Sequence, residues 1–142
     1  MFTTSHFHPM LVHFPIALIM IGFLAEVISL FVKKEACLSF AGFWLLIIGA
    51  LAALAAYLTG YFFTGEMTGA AGDIQETHEL FAAITLWTML ANAIFRIYLK
   101  YSGKENTQLK WLAFAVYAIS AVAVSITGFF GGTLVFNYMM PL

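Results

Sequence analysis

The sequence predicts an all-α fold, a four-helix transmembrane bundle running up-down-up-down. Three observations point to it. Of the 142 residues, 63% are hydrophobic and only 9% are charged, whereas a soluble domain carries about 25% charged residues; mean hydropathy is +0.95. Four apolar stretches each reach the ~20 residues a helix needs to cross a bilayer core. The connectors between them are short, which makes sequential helices antiparallel neighbours. Residues 1–142 read as a single integral-membrane domain.

The first span, about residues 9–32, opens in "HFHPMLVHFP", which holds three of the chain's four histidines. Pro9 suits a first helical turn, where a missing N–H costs nothing. "KKEA" leads to the second span, 37–63. "TGEMTGAAGD", Gly-rich and acidic, leads to the third, 74–101, where Asp73 with Glu76 three residues on has the capping-box pattern. "SGKENT" leads to the fourth, 108–138, with Thr107 as candidate N-cap. Cys37 stands alone, makes no internal disulfide and reads as a small apolar residue. "MFTTSHFHP" has no basic n-region and no small-residue cleavage site, so no cleavable signal peptide is expected. A net charge of −1 offers nothing to a nucleic acid.

Charge sets the expected orientation. Lys33, Lys34, Arg96, Lys100, Lys104 and Lys110 are all the basic residues, and every one falls at the end holding the first and third connectors. Lys and Arg in short loops mark the cytoplasmic side. Both termini are therefore expected outside, together with all four histidines and Glu66, Asp73, Glu76 and Glu79. Tyr101 and Trp111 are expected as aromatic anchors at the inner interface.

Helical spacing then picks out faces. From His78 the stripe reads Ala82, Thr85, Met89, Asn92, Arg96, and recurrent polar groups on a membrane helix point into the bundle. Counted from Lys33 and Lys100, His13 and His78 share a depth, and the stripe from His13 reads Ala17, Met20, Leu24, Val27. Glu26, on another face with Gly22 and Ile19, lies near the depth of Arg96 and can pair with it. The second span carries a small-residue stripe, Gly49, Ala53, Ala56, Gly60. The fourth carries Ala121, Ser125, Gly128, Gly132. "LTGYFFTGE" and "ITGFFGGTL" end these stripes, which suggests two related helical hairpins about an axis along the membrane normal.

Two neutral imidazoles facing each other at one depth suit the axial positions of a haem iron. The leading expectation is a b-type haem held by His13 and His78, with Gly60 and Gly128 admitting the ring edges, in an electron-transfer role near the outer face. No C-x-x-C-H exists to attach a haem covalently. The second expectation is a copper or zinc site using His8, His13 and His78 with Glu79 or Glu76, since nitrogen and oxygen donors suit these ions. Met1, Met10, Met67, Met139 and Met140 lie toward the same end, and thioethers suit Cu(I), although methionine is more often ordinary apolar filling. The third is a cofactor-free accessory subunit of a larger membrane complex, with a redox or other protein partner. No nucleophile or acid–base pair stands out, so no enzyme is expected.

"HPMLVHFPIAL" (8–18) and "TGFFGGTLVF" (127–136) resemble the opening and closing phrases of a widespread group of bacterial four-helix membrane proteins classed as a domain of unknown function. The resemblance covers the whole chain. Carried over by position, the family's histidines and prolines are His8, Pro9, His13 and Pro15, its third-helix histidine is His78, and its glycines are Gly131 and Gly132. The family's Gly-Val-Gly-Val tail is replaced here by "NYMMPL". The resemblance implies a bacterial inner-membrane protein, and the layout is similar to that of b-type membrane cytochromes.

Overall fold

The computed structural model of the chain describes residues 7–32 and 36–138. His6, Lys33, Lys34, Met1, Met139 and Met140 lie outside the described residues. Among the described residues there are five helices: α1 (Phe7–Leu11), α2 (His13–Phe31), α3 (Ala36–Phe63), α4 (Ala70–Tyr101) and α5 (Leu109–Tyr138). Four segments are long and apolar enough to cross a membrane: Phe7–Phe31, Cys37–Phe63, Ala70–Tyr101 and Leu109–Tyr138. Their outward faces are apolar at mid-helix. Trp87, Ile94 and Phe129 are 67%, 69% and 70% exposed, a surface that lipid tolerates and water does not. This is a multi-pass membrane protein.

The first span carries one local irregularity. Pro15 has no N–H for the carbonyl of Leu11, and α1 and α2 meet at Val12, whose backbone stays helical at φ −61° and ψ −25°. α1 packs chiefly on α3, as α2 does. The third span starts four residues earlier than its capping-box pattern suggests. Gly69 takes φ +66° at the N-cap, a conformation that glycine adopts without strain. Asp73 then falls in the first turn, where a carboxylate faces the positive helix end. Thr107 does not cap α5 either: its hydroxyl donates to Lys104 O at 2.7 Å.

α4 ends in a Schellman motif. Lys104 N donates to Leu99 O at 2.9 Å and Gly103 N to Lys100 O at 3.2 Å, with Gly103 at φ +68°. At the opposite end Gln75 fixes the 64–69 connector. Its Oε1 accepts from Met67 N at 2.8 Å, and its Nε2 donates to Gly65 O and to Glu79 Oε1.

Around the bundle α2 packs on α3, α3 on α4, α4 on α5 and α5 on α2, so α2 and α4 stand diagonally. Their inward faces meet on the axis. Ile19 and Met89, both fully buried, touch the space over Gly49. The core around them is Leu46, Ala50, Tyr117 and Ala121. Hydrophobicity does not drive helices together in lipid, so small residues that allow close approach do much of that work.

The arrangement repeats. Ile19 is matched by Met89, and Glu26 by Arg96, each seventy positions on; Leu46 is matched by Tyr117, and Ala50 by Ala121, each seventy-one on. The lipid-facing groove lined by Leu11, Phe14, Ile48, Leu51 and Ala52 has a counterpart lined by Phe81, Ile84, Ile119, Val122 and Ala123 in the same register. The two hairpins are thus related by a pseudo-two-fold axis along the bundle. The register is not that of the "LTG" and "ITG" phrases, which align Gly60 with Gly128. In the fold Gly60 is matched by Gly131.

Candidate functional site: a pair of histidines on the axis

His78 faces His8, not His13. The His8 and His78 rings lie 6.3 Å apart, centre to centre, at an interplanar angle of 86°. His13 is exposed, and its Nδ1 donates to Pro9 O at 2.9 Å within its own turn. The stripe expected to continue inward from His13 faces outward: Met20 and Leu24 are 40% and 54% exposed. The inward stripe of α2 is Pro15, Ile19, Gly22 and Glu26. Five residues separate His8 from His13, about 140° of helix, so only one of the two can face the axis. That position falls to His8, about five helical turns before Glu26 on the inward stripe.

Each of the paired imidazoles is held from behind in the same way. His8 Nδ1 donates to Ala56 O of α3 at 3.0 Å. His78 Nδ1 donates to Thr127 O of α5 at 2.9 Å. Thr59 Oγ1 lies 3.3 Å from His8 Nδ1 as well. Each ring then lies against a glycine one turn further on. A Cβ on Gly60 would stand 2.9 Å from His8 Cε1, and one on Gly131 would stand 3.1 Å from His78 Cε1. The glycines let an imidazole reach a helix carbonyl that any side chain would shield. Gly132, the other half of the double glycine, meets nothing within 4 Å.

With Nδ1 protonated and donating, Nε2 of each ring carries a lone pair. Neither Nε2 meets a hydrogen-bond partner among the described residues. A backbone carbonyl on Nδ1 is the usual orienting contact behind a ligating histidine, because it fixes both the tautomer and the ring direction. The pair has two donors and no third. Among the described residues no group of three or more His, Cys, Asp or Glu is placed to hold a metal ion. The four-ligand set of His8, His13, His78 and Glu79 is therefore not assembled: His13 turns away, and Glu79 Oε1 is engaged by Gln75. Nor do the expected glycines border an open slot. Gly60 lies against the His8 ring, and a Cβ on Gly128 would stand 3.3 Å from Ile16 Cδ1.

A second polar feature lies on the axis nearer the lysine end. Arg96 donates to Glu26 Oε1 at 2.7 Å, with both side chains largely buried, in line with the pairing expected from their depths. The Glu26 carboxylate also fills the space over Gly42. Three residues here had no part in the sequence reading as site residues. Gln75 organises the connector, and Asn92 and Tyr117 bring polar atoms into the core.

The family described as "Predicted membrane protein (DUF2231)" matches residues 4–141. No curated protein and no solved structure matches the chain.

Proposed function

The chain belongs to the DUF2231 family of predicted membrane proteins, and on that premise we propose that it is a b-type haem protein of the bacterial inner membrane. His8 and His78 would hold the haem. The observation that carries this reading is the pair itself: two imidazoles on the pseudo-two-fold axis, each tied through Nδ1 to a helix carbonyl, each with Nε2 unengaged. A haem iron takes four ligands from the porphyrin and needs only two from the protein, and two is the number the described residues bring together. The donor number matches that group, and seating its ring would require α3 and α5 to give way at Gly60 and Gly128.

Bound there, a haem supplies a one-electron Fe(III)/Fe(II) couple. The chain's own residues do the rest. Ala56 and Thr127 carbonyls hold the imidazoles in the Nδ1–H tautomer and raise the basicity of Nε2. Gly60 and Gly131 seat the rings against α3 and α5. The proposed role is one-electron transfer between redox proteins at the histidine end. By the lysine distribution that end is the outer one, with both termini outside.

A second reading rests on the closed packing at Gly60 and Gly128. A single Cu(I) ion would need no slot for a macrocycle; the two Nε2 atoms would hold it, and imidazole is a suitable copper ligand. Zinc takes four ligands in structural sites and three with a water in catalytic ones, and the described residues bring no group of that size together.

The deciding experiment is a reduced-minus-oxidised visible spectrum of the detergent-purified protein, with elemental analysis of the same sample. Sharp α and Soret bands with stoichiometric iron support the haem reading. A flat spectrum with stoichiometric copper replaces it with the copper reading. A flat spectrum and no metal removes both.

A further inference from the structure

The inner half of the bundle breaks the repeat, and it breaks it with polar atoms. Ile19 and Met89 close the axis midway. On the lysine side of that plug Gly22 is matched by Asn92, Glu26 by Arg96 and Leu46 by Tyr117. Asn92 is 2% exposed and Tyr117 fully buried. Among the described residues, neither end of the Asn92 amide nor the Tyr117 hydroxyl has a hydrogen-bond partner.

These orphan atoms gather in one layer. Asn92 is one helical turn before Arg96 on the same inward face. The Tyr117 hydroxyl packs directly against Gly22, one turn before Glu26. Arg96 and Glu26 bond to each other through one N–H and one oxygen, and both side chains keep some exposure, 13% and 10%, so the buried atoms left without a partner are those of Asn92 and Tyr117. The layer therefore presents unpaired donors and unpaired acceptors together, around a charge pair, inside a membrane protein. Leaving such groups dry is costly, and buried groups of this kind are normally completed by ordered water.

The chemistry narrows the ligand. An ion has no call on the layer, because Glu26 and Arg96 already balance each other. A larger solute has no room beside Gly22 and Gly42, whose Cβ positions are taken by the Tyr117 hydroxyl and the Glu26 carboxylate. We propose that Asn92, Tyr117, Glu26 and Arg96 form an internal water-binding site in the inner half of the bundle, separated from the histidine pair by the Ile19–Met89 plug. The site is independent of whatever the histidines hold.

The test uses the full-length protein in detergent micelles. Side-chain amide signals of Asn92, assigned by their loss in Asn92→Leu, are examined by NMR for magnetisation transfer from water. Thermal unfolding is followed for Asn92→Leu and, separately, Tyr117→Phe. A hydrated site gives a water cross-peak at Asn92 and lowers the melting temperature of Tyr117→Phe, which loses a bonded hydroxyl. A dry site gives no cross-peak, and Tyr117→Phe melts at the same temperature or higher, because an unsatisfied hydroxyl has been removed. That result overturns the proposal. Tyr117→Phe keeps the test open should Asn92→Leu fail to fold, and the assignment then comes from Asn92→Asp.

Discussion

Glu26 and Arg96 form a 2.7 Å ion pair from positions that the internal repeat makes equivalent. Eighteen residues upstream of each stands a histidine, His8 and His78, and those two rings also meet on the axis. The ion pair and the imidazole pair are two rungs of one ladder, with Ile19 and Met89 between them.

The equivalence predicts an unusual tolerance. Arg96→Met leaves the Glu26 carboxylate buried and unpaired, which costs about 3–5 kcal/mol. The exchange Glu26→Arg with Arg96→Glu places each charge in its partner's environment. It is expected to recover most of that loss in thermal unfolding, while Glu26→Arg alone does not. A double mutant no better than either single change would show that the two environments are not interchangeable.

Ligand identity separates the three histidines of the axis and mouth. Under the haem reading His8→Ala and His78→Ala each abolish the bis-histidine spectrum, whereas His13→Ala leaves it intact, because His13 bonds only within its own turn. Retention of a normal spectrum in His8→Ala would reject the assignment.

The glycines behind the rings give a prediction independent of any cofactor. Gly131→Ala forces a methyl to 3.1 Å from the His78 ring, and Gly60→Ala one to 2.9 Å from His8. Overpacking of this kind costs about 1–3 kcal/mol. Gly132→Ala meets open space and is expected to be neutral or to stabilise by roughly 0.5–1 kcal/mol through helix propensity. Equal melting temperatures for Gly131→Ala and Gly132→Ala would contradict the packing described.

Much of this was legible in the sequence. The spans, the connectors and the inward stripe of α4 follow from composition and spacing. The pairing of Glu26 with Arg96 followed from depth. The histidine partner did not, because depth was counted from Lys33 and Lys100, which are not equivalent positions. Counting from Glu26 and Arg96 instead selects His8 opposite His78. The face of His8 follows in the same way: eighteen residues before Glu26 is about five helical turns, so the inward stripe Glu26, Gly22, Ile19, Pro15 extends back to His8. The repeat was visible as two hairpins. Its register was misread because the "TG" phrases align three residues away from the glycines that carry the imidazoles. Asn92 appeared on the right stripe, but nothing in a sequence tells a satisfied buried amide from an unsatisfied one.

The connector at the histidine end rests on one side chain. Gln75→Leu removes the acceptor for Met67 N and the donors to Gly65 O and Glu79. The Met67 amide is expected to exchange with deuterium at least tenfold faster, since losing a bond worth about 1.4 kcal/mol changes an opening equilibrium tenfold. Amides in the middle of α4 are expected to be unaffected.

Orientation has its own check. In a Cys37→Ser background, Thr68→Cys is expected to react with an impermeant thiol reagent in intact cells, and Glu105→Cys only after lysis. Both positions are exposed at opposite ends of the bundle. The reverse pattern would put the histidines on the cytoplasmic side.

The break in the repeat also bears on why both hairpins sit in one chain. Two identical hairpins about a true two-fold axis would set every axial residue against its own copy. That suits histidine facing histidine. At the level of Glu26 it would bring carboxylate against carboxylate, and at the level of Arg96 guanidinium against guanidinium, in a setting where like charges have no water to separate them. Opposite charges at one symmetric position are open only to halves that differ in sequence. Covalent linkage fixes the ratio of those halves at one to one, so neither can pair with itself.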